Sequence, residues 1–260
     1  MTGIVIEGLT FKRKERFIFN QLSVTIPKGQ FIGLLGPNGT GKSTLLKMMV
    51  GLLKAQGHIS INGKAIAQLK TKEMAKLISY MPQSTQLETN FTVEQVVRMG
   101  RFPHKTRFSS WSQEDTRKVE EAFELTGISH LKERFVPSLS GGERQLVYLA
   151  KVIAQDTEYI LLDEPTSDLD VYHQVKVTNI IHALVKKGKT VLAAIHDINF
   201  STRICEQSLL LKDGIVIDFG DSDKVLTKEN MANTFSVNAH IYVEEQTGAK
   251  QMIPLEVKHG

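Results

Sequence analysis

The stretch LLGPNGTGKSTLLK (residues 34–47) decides how the rest of the chain is read. An apolar run breaks into glycines and a proline, then resumes at once as a helix-forming segment. Glycine loses more conformational entropy on folding than any other residue, so this composition is a poor choice for stability alone. It makes sense where something must approach the backbone closely. Gly36-Pro37-Asn38-Gly39-Thr40-Gly41-Lys42-Ser43 fits the pattern G-x-x-x-x-G-K-[ST], with an apolar strand before it and a helix after it. The glycines let successive amide N–H groups turn inward as an anion nest. The helix opening near Lys42 adds its positive end. Lys42 can reach β- and γ-phosphates, the Ser43 hydroxyl can ligate Mg2+, and Thr44 can contact the α-phosphate. A nucleoside triphosphate is the expected ligand; the pattern does not say which one or what work it drives.

A second apolar strand, YILLDEP (residues 159–165), ends in two carboxylates. Asp163 is expected at the C-terminal edge of the sheet, where α/β proteins place their ligands, holding Mg2+ through its water shell. Glu164, one residue further on, is free to polarise an attacking water in line with a γ-phosphate. His196 closes a third apolar strand, TVLAAIH (residues 190–196), 32 residues after Glu164. A lone histidine is as often structural as functional; at the end of a core strand it could contact the γ-phosphate.

The chain of 260 residues is 41% hydrophobic and 23% charged, with a formal net charge of +4. That balance is ordinary for a globular protein and too weakly basic to imply nucleic acid. The densest basic stretch, KRKER (residues 12–16), reads as a solvated turn between strands. One cysteine, Cys205, excludes an intrachain disulfide. No apolar run approaches the ~20 residues that span a bilayer. The N-terminal segment lacks the basic and apolar regions of a signal peptide. Any membrane is therefore expected to be reached through a partner.

Residues 3–11, 21–29, 31–36 and 57–64 read as strands, the last carrying the hairpin signal Asn62-Gly63. A helix is expected over residues 43–52, and a short helix running into a strand over residues 71–83. Residues 92–155 are helical in pattern, with Ser112 as an N-cap before the acidic Glu114 and Asp115. The runs at 159–165 and 190–197 are continuous apolar strands, as in a parallel sheet covered on both faces. With the helix expected over 171–188 they make a βαβ unit. LLLKDGIVIDFG (residues 209–220) reads as a hairpin.

With these residues in place, the chain resembles the ATP-binding cassette family, the ATPase subunits of ABC transporters. The deciding motif is Leu139-Ser140-Gly141-Gly142-Glu143, followed by Arg144-Gln145, which matches the family's LSGGQ-type signature. Gln83 matches the Q-loop, Ser167-Asp168-Leu169-Asp170 the D-loop and His196 the switch histidine. The motifs occur in family order over roughly residues 3–230. The resemblance implies an α/β fold with a P-loop NTPase core, a RecA-like mixed sheet, an N-terminal antiparallel β subdomain and a helical insertion. Residues 1–230 would form the ATPase domain, with a helical subdomain at about 87–155, and 231–260 a small C-terminal extension. ATP and Mg2+ are the implied cofactors. Ser140, Gly141, Gly142 and Glu143 would cap the γ-phosphate of an ATP bound by a second copy, and Asp170 would lie at that interface. The result is a head-to-tail dimer that ATP closes and hydrolysis reopens. Gln83 would contact Mg2+ and water, and couple nucleotide state to a membrane partner.

Two positions depart from the family pattern. An aromatic residue that stacks on adenine is common where this chain has Arg13, 29 residues before Lys42. A guanidinium can also stack on a base, and Phe17 is nearby. Asp168 stands where alanine is common, and faces the other subunit in the family.

The segment RMGRFPH (residues 98–104) resembles one found in ATPases that import ferric siderophores, haem and cobalamin. Gly100, Arg101, Pro103 and His104 would then lie near the groove that takes the coupling helix of an integral-membrane permease; a plain helix end is the alternative. Trp111 and Phe108 just beyond fit local packing as well as an interface. A single cassette without a membrane segment favours an importer subunit on the cytoplasmic face of the membrane. An extracytoplasmic binding protein and the permease would select the cargo, with ferric siderophore first and haem or cobalamin next. The rival from another class is a soluble ABC ATPase, such as one serving iron–sulfur cluster assembly. Repair ATPases are disfavoured because Ser140 follows Lys42 by only 98 residues, with no heptad run between them.

Overall fold

The computed structural model describes residues 3–83, 90–106 and 110–257. Strands β1 (Ile4–Arg13) and β2 (Arg16–Ile26) form a hairpin, β3 (Phe31–Leu35) enters the core, and α1 (Lys42–Met49) follows the glycine-rich loop. Then come β4 (Gln56–Ile61), β5 (Lys64–Ala65), α2 (Thr71–Leu77) and β6 (Ile78–Met81). The insertion holds α3 (Val93–Met99), α4 (Gln113–Thr126) and α5 (Gly141–Ala154). The core resumes with β7 (Tyr159–Asp163), α6 (Val171–Lys186), β8 (Thr190–Ala194), α7 (Ile198–Ile204), β9 (Gln207–Lys212) and β10 (Ile215–Asp221). The chain closes with α8 (Ser222–Val225), α9 (Lys228–Phe235), β11 (Val237–Val243) and β12 (Lys250–Val257).

Among the described residues, two of the three sheets and the helices make three layers, the third sheet being the β11–β12 hairpin. The antiparallel sheet has the order β2-β1-β4-β5; the core sheet has the order β10-β9-β3-β8-β7-β6 and is parallel except for β10. Core strands are apolar on both faces because both are covered. On β3, Ile32 and Leu34 pack with the antiparallel sheet and α1, whereas Phe31 and Leu35 pack with the helices of the other side. On β7, Tyr159 and Leu161 alternate in the same way with Ile160 and Leu162. The fold is thus the expected α/β core with an antiparallel β subdomain and a helical insertion.

Register sets the sheet's working edge. Leu34 of β3 pairs with Ala194 of β8, and Ala194 pairs in turn with Asp163 of β7. The ends of these three strands therefore lie in one row, where the glycine-rich loop, Glu164 and His196 begin.

Local signals account for the boundaries. Asn62 and Gly63 join β4 to β5 at positive φ, as an Asn-Gly turn requires. Helix α1 stops three residues short of the expected 52, because Gly51 takes a left-handed φ of 72° and the chain turns there. Ser112 caps α4 in a reciprocal box: its hydroxyl accepts from the Asp115 amide, and the Asp115 carboxylate accepts from the Ser112 amide. Thr92 with Gln95 and Ser140 with Glu143 repeat this device at α3 and α5.

The break near residue 230 falls inside α9, and Met231 and Ala239 both belong to the buried core, so packing is continuous across it. The segment at residues 100–104 turns Arg101 inward, away from any partner, and leaves His104 half-buried. Arg101 is buried; its guanidinium donates to Asp115 Oδ1 at 3.1 Å and to the Ala154 carbonyl at 2.9 Å. His104 Nε2 contacts the Gln155 carbonyl at 2.9 Å. These residues tie α3 to the C-terminal end of α5, while Phe102 between them is exposed. Trp111 packs locally, with Arg98 stacked over its ring at 4.1 Å. Phe108 and the expected start of the helical subdomain near residue 87 lie outside the described residues.

The buried Arg101–Asp115 pair gives a stability prediction. Burial alone would raise the Asp115 carboxyl, but hydrogen bonds from Lys105, Ser112 and Arg101 hold it well below the usual carboxylate range. Its contribution is therefore present above the unfolded-state value of about 3.9 and is lost as pH falls through the folded value. Asp115→Ala, which leaves the guanidinium buried without its partner, is expected to cost about 3–5 kcal/mol in urea denaturation at neutral pH. The deficit should shrink in acid.

Candidate functional site

The glycine-rich loop is shaped from outside as well as by its own sequence. Gly41 has φ +100°, and a Cβ there would lie 2.7 Å from both Ile18 Cγ2 and Phe19 Cζ. Strand β2 thus presses on the loop, and only glycine fits. Helix α1 begins at the next residue, so its positive end opens onto the loop. The Lys42 ammonium folds back into the loop and donates to the carbonyls of Gly36 at 2.7 Å and Pro37 at 3.0 Å. Burial lowers the Lys42 pKa, and the nearby Glu164 and Asp163 carboxylates offset part of that fall.

Asp163 ends β7 and is buried. Its Oδ1 accepts from the Ser43 hydroxyl at 2.8 Å, and its Oδ2 accepts from the Tyr80 hydroxyl at 3.1 Å. Burial and the Asp163 charge push the Tyr80 phenol up, so it stays a donor. Glu164 sits at φ +54°, a conformation costly for a non-glycine residue and typical of functional sites. Its amide donates to the Ala194 carbonyl at 3.2 Å, tying the strained residue to β8. Its carboxylate takes two partners: Gln83 Nε2 donates to Oε2 at 2.6 Å, and His196 Nε2 meets Oε1.

Lys42, Ser43, Gln83, Glu164 and His196 converge on a cleft of 370 Å³, which Asp163 reaches through its hydrogen bond with Ser43. Asn38, Gly39, Gly41, Lys42, Ser43 and Thr44 line its loop side, Gln83, Glu164 and His196 its far side, and Arg13 with Ile18 one end. A larger cleft of 490 Å³, between α1 and β4, is mostly apolar and holds no carboxylate. Arg13 thus lines the 370 Å³ cleft. Phe17 does not: it lines another cavity with Phe11, and Lys12 Nζ sits over its ring at 4.1 Å.

A hydroxyl (Ser43), a carboxylate (Asp163) and an amide (Gln83) offer hard oxygen donors in small number. That set suits Mg2+, which keeps several waters and takes few protein ligands. Among the described residues, no group of three or more His, Cys, Asp or Glu side chains is placed to hold a metal by itself.

The structure leaves the remaining candidates apart from this cleft. Ser140, Gly141, Gly142, Glu143 and Asp170 do not line it. Ser140 caps α5, its hydroxyl and amide both donating to Glu143 Oε2 at 2.9 Å. Asp170 caps α6, its Oδ1 accepting from the His173 amide at 2.8 Å. His173, given no role from the sequence, links the two. Its ring contacts Asp170 at 2.9 Å and packs so tightly on α5 that a Cβ on Gly142 would lie 2.5 Å from it. Tyr80 belongs to no motif either; its signal in the sequence is its place three residues before Gln83 on a strand bordering β7. Among the described residues, no helix is long and apolar enough to cross a membrane.

A sequence profile of the family described as "ABC transporter" matches residues 19–167. The chain is 39% identical to the iron(3+)-hydroxamate import ATP-binding protein FhuC of Bacillus subtilis, over 95% of this chain and 93% of that one. It is 37% identical to the cobalamin import ATP-binding protein BtuD of Halobacterium salinarum, over 96% of this chain and 63% of that one. Among solved structures, an inward-facing conformation of a putative metal-chelate type ABC transporter matches with a TM-score of 0.84 and 30% identity, covering 98% of each chain.

The Tyr80 hydroxyl gives this site its own prediction. Tyr80→Phe leaves Asp163 with Ser43 alone. Stability should change by about 1 kcal/mol, while steady-state ATP turnover falls several-fold as the carboxylate loses its fixed orientation. Denaturation and turnover measured on the same preparation check both.

Proposed function

Since this chain belongs to the ABC transporter ATPases and drives transport with ATP, we propose that it powers uptake of an iron chelate, a ferric siderophore first. The relatives that import an iron(3+) hydroxamate and cobalamin support this branch, as does the solved transporter of metal-chelate type. The observation that carries the mechanism is the convergence of Lys42, Ser43, Gln83, Glu164 and His196 on one cleft, with Asp163 hydrogen-bonded to Ser43.

In the proposed reaction the loop amides of residues 36–44 and the Lys42 ammonium hold the phosphates of ATP. Arg13 stacks on the base in place of an aromatic ring. Bound Mg2+, held by Ser43, Asp163 and Gln83, would neutralise charge on the β- and γ-phosphates. Glu164 orients the attacking water and takes its proton, with Gln83 and His196 fixing the carboxylate. His196 also reaches the γ-phosphate. Products are ADP and phosphate.

One chain does not complete this site. Ser140, Gly141, Gly142, Glu143 and Asp170 lie outside the cleft, and the Ser140 helix end is exposed and favours anions. A second copy, placed head to tail, would bring that helix end over the γ-phosphate. The ATPase domain spans residues 1–230 in this reading, with the helical part at about 87–155 facing the permease and 231–260 as the extension. The permease contact runs through Gln83 and the exposed Phe102 beside Gly100 and Pro103, at the cytoplasmic face of the membrane. An extracytoplasmic binding protein delivers the cargo, and nucleic acid has no part.

Glu164→Gln is expected to keep ATP binding, lose nearly all turnover and trap a dimer seen by size exclusion with Mg-ATP. Unchanged turnover would remove the role given to this carboxylate. Lys42→Ala should weaken nucleotide binding itself. Mixing Ser140→Arg with Lys42→Ala tests the shared site: each heterodimer keeps at most one intact composite site, so partial turnover is expected where each variant alone has none. For the cargo, the subunit reconstituted with its permease and binding protein should show ATPase stimulation by ferric siderophore, and less by haem or cobalamin.

A further inference from the structure

The β11–β12 hairpin, which holds none of the family's motifs, is joined to α7, the helix that begins just after His196. Only Ile195, His196 and Asp197 separate β8 from α7. Such a short connection has no slack, so the position of α7 sets the position of His196. Asp197 caps α7, its Oδ1 accepting from the Phe200 amide at 2.9 Å. On one side α7 rests against β3, where a Cβ on Gly33 would lie 2.5 Å from Ser201 Oγ. On another side it meets β12.

That second contact is a polar clamp. The Asn199 side chain accepts from the Met252 amide at 2.7 Å and donates to the Met252 carbonyl at 2.9 Å. It satisfies both backbone groups of one residue, as a neighbouring strand would. Thr202, one turn on, donates to the Lys250 carbonyl at 2.8 Å. Gln251 Nε2 donates back to the Asn199 carbonyl at 3.3 Å. Met252 and Ile241 place the hairpin's inner face against the core. Asn199 is three residues from His196, and its clamp fixes the first turn of α7.

We propose that Asn199 is a positioning residue for ATP hydrolysis: through the Met252 clamp, the C-terminal hairpin holds α7, and with it the His196 ring against Glu164. The inference rests on the reading of His196 given above. Distortion or release of the hairpin would loosen His196 without altering the glycine-rich loop, so it acts on turnover and not on nucleotide capture.

The test measures kcat and KM for ATP on the full chain carrying Asn199→Ala, Thr202→Val, His196→Ala or Asn199→Ala with His196→Ala. Asn199→Ala should lower kcat at least five-fold with KM within two-fold of the parent. Thr202→Val should lower it in the same sense by less, and it reports in place of Asn199→Ala should that variant fold poorly. In the His196→Ala background Asn199→Ala should have no further effect on kcat, because its only route is through that ring. Parental kcat in a folded Asn199→Ala protein, or in Thr202→Val where it must stand in, overturns the proposal; so does a full additional loss on top of His196→Ala. If His196→Ala itself turns over ATP at the parental rate, the role given to His196 fails first and the clamp falls with it.

Discussion

The pairing register of β3, β8 and β7 is the constraint on which the rest depends. Leu34, Ala194 and Asp163 stand in one row across three parallel strands. A parallel sheet with all its C-terminal ends on one edge turns three distant stretches of sequence into neighbours. The strands hold register because each buries one set of side chains under the antiparallel sheet and the alternate set under the helices. A slip of one residue would exchange the two sets and move every functional side chain to the wrong face. The chemistry is therefore anchored by the most buried part of the molecule.

On that edge, local devices convert position into reactivity. The glycine-rich loop is pressed by β2 at Gly41, which lines the cleft. Glu164 is held in a costly backbone conformation by a hydrogen bond to β8, and its carboxylate is gripped from two sides by Gln83 and His196. Asp163 is satisfied by Ser43 and Tyr80, a hydroxyl from each side. A buried carboxylate without such partners would be costly. Charge is thus arranged before substrate arrives, which is how a site stabilises a transition state without reorganising.

The helical insertion follows the same logic with a different purpose. Its helices start at capping boxes, and Arg101 with Asp115 locks α3, α4 and α5 into one body. That body carries the exposed Ser140 helix end and, through His173 against Gly142, touches the start of α6 at Asp170. The N-terminal end of α5 and the cleft belong to separate parts of the chain. In the proposed reaction a second copy brings the two together.

The sequence by itself determined the local structure and the reactive groups. Glycine spacing, apolar runs and caps are short-range signals, and they marked the loop at residues 36–43, the strand ending at Asp163, the strand that stops at Ala194 two residues before His196, and the Ser112 and Ser140 helix starts. Only the tertiary structure decided which side chains meet. Tyr80 reaches Asp163, Phe17 turns from the nucleotide cleft while Arg13 lines it, and Arg101 points inward. The join between Asn199 and Met252 spans 53 residues of sequence. Such contacts depend on how far one element leans on another. No periodicity encodes that distance, because packing of the whole core sets it.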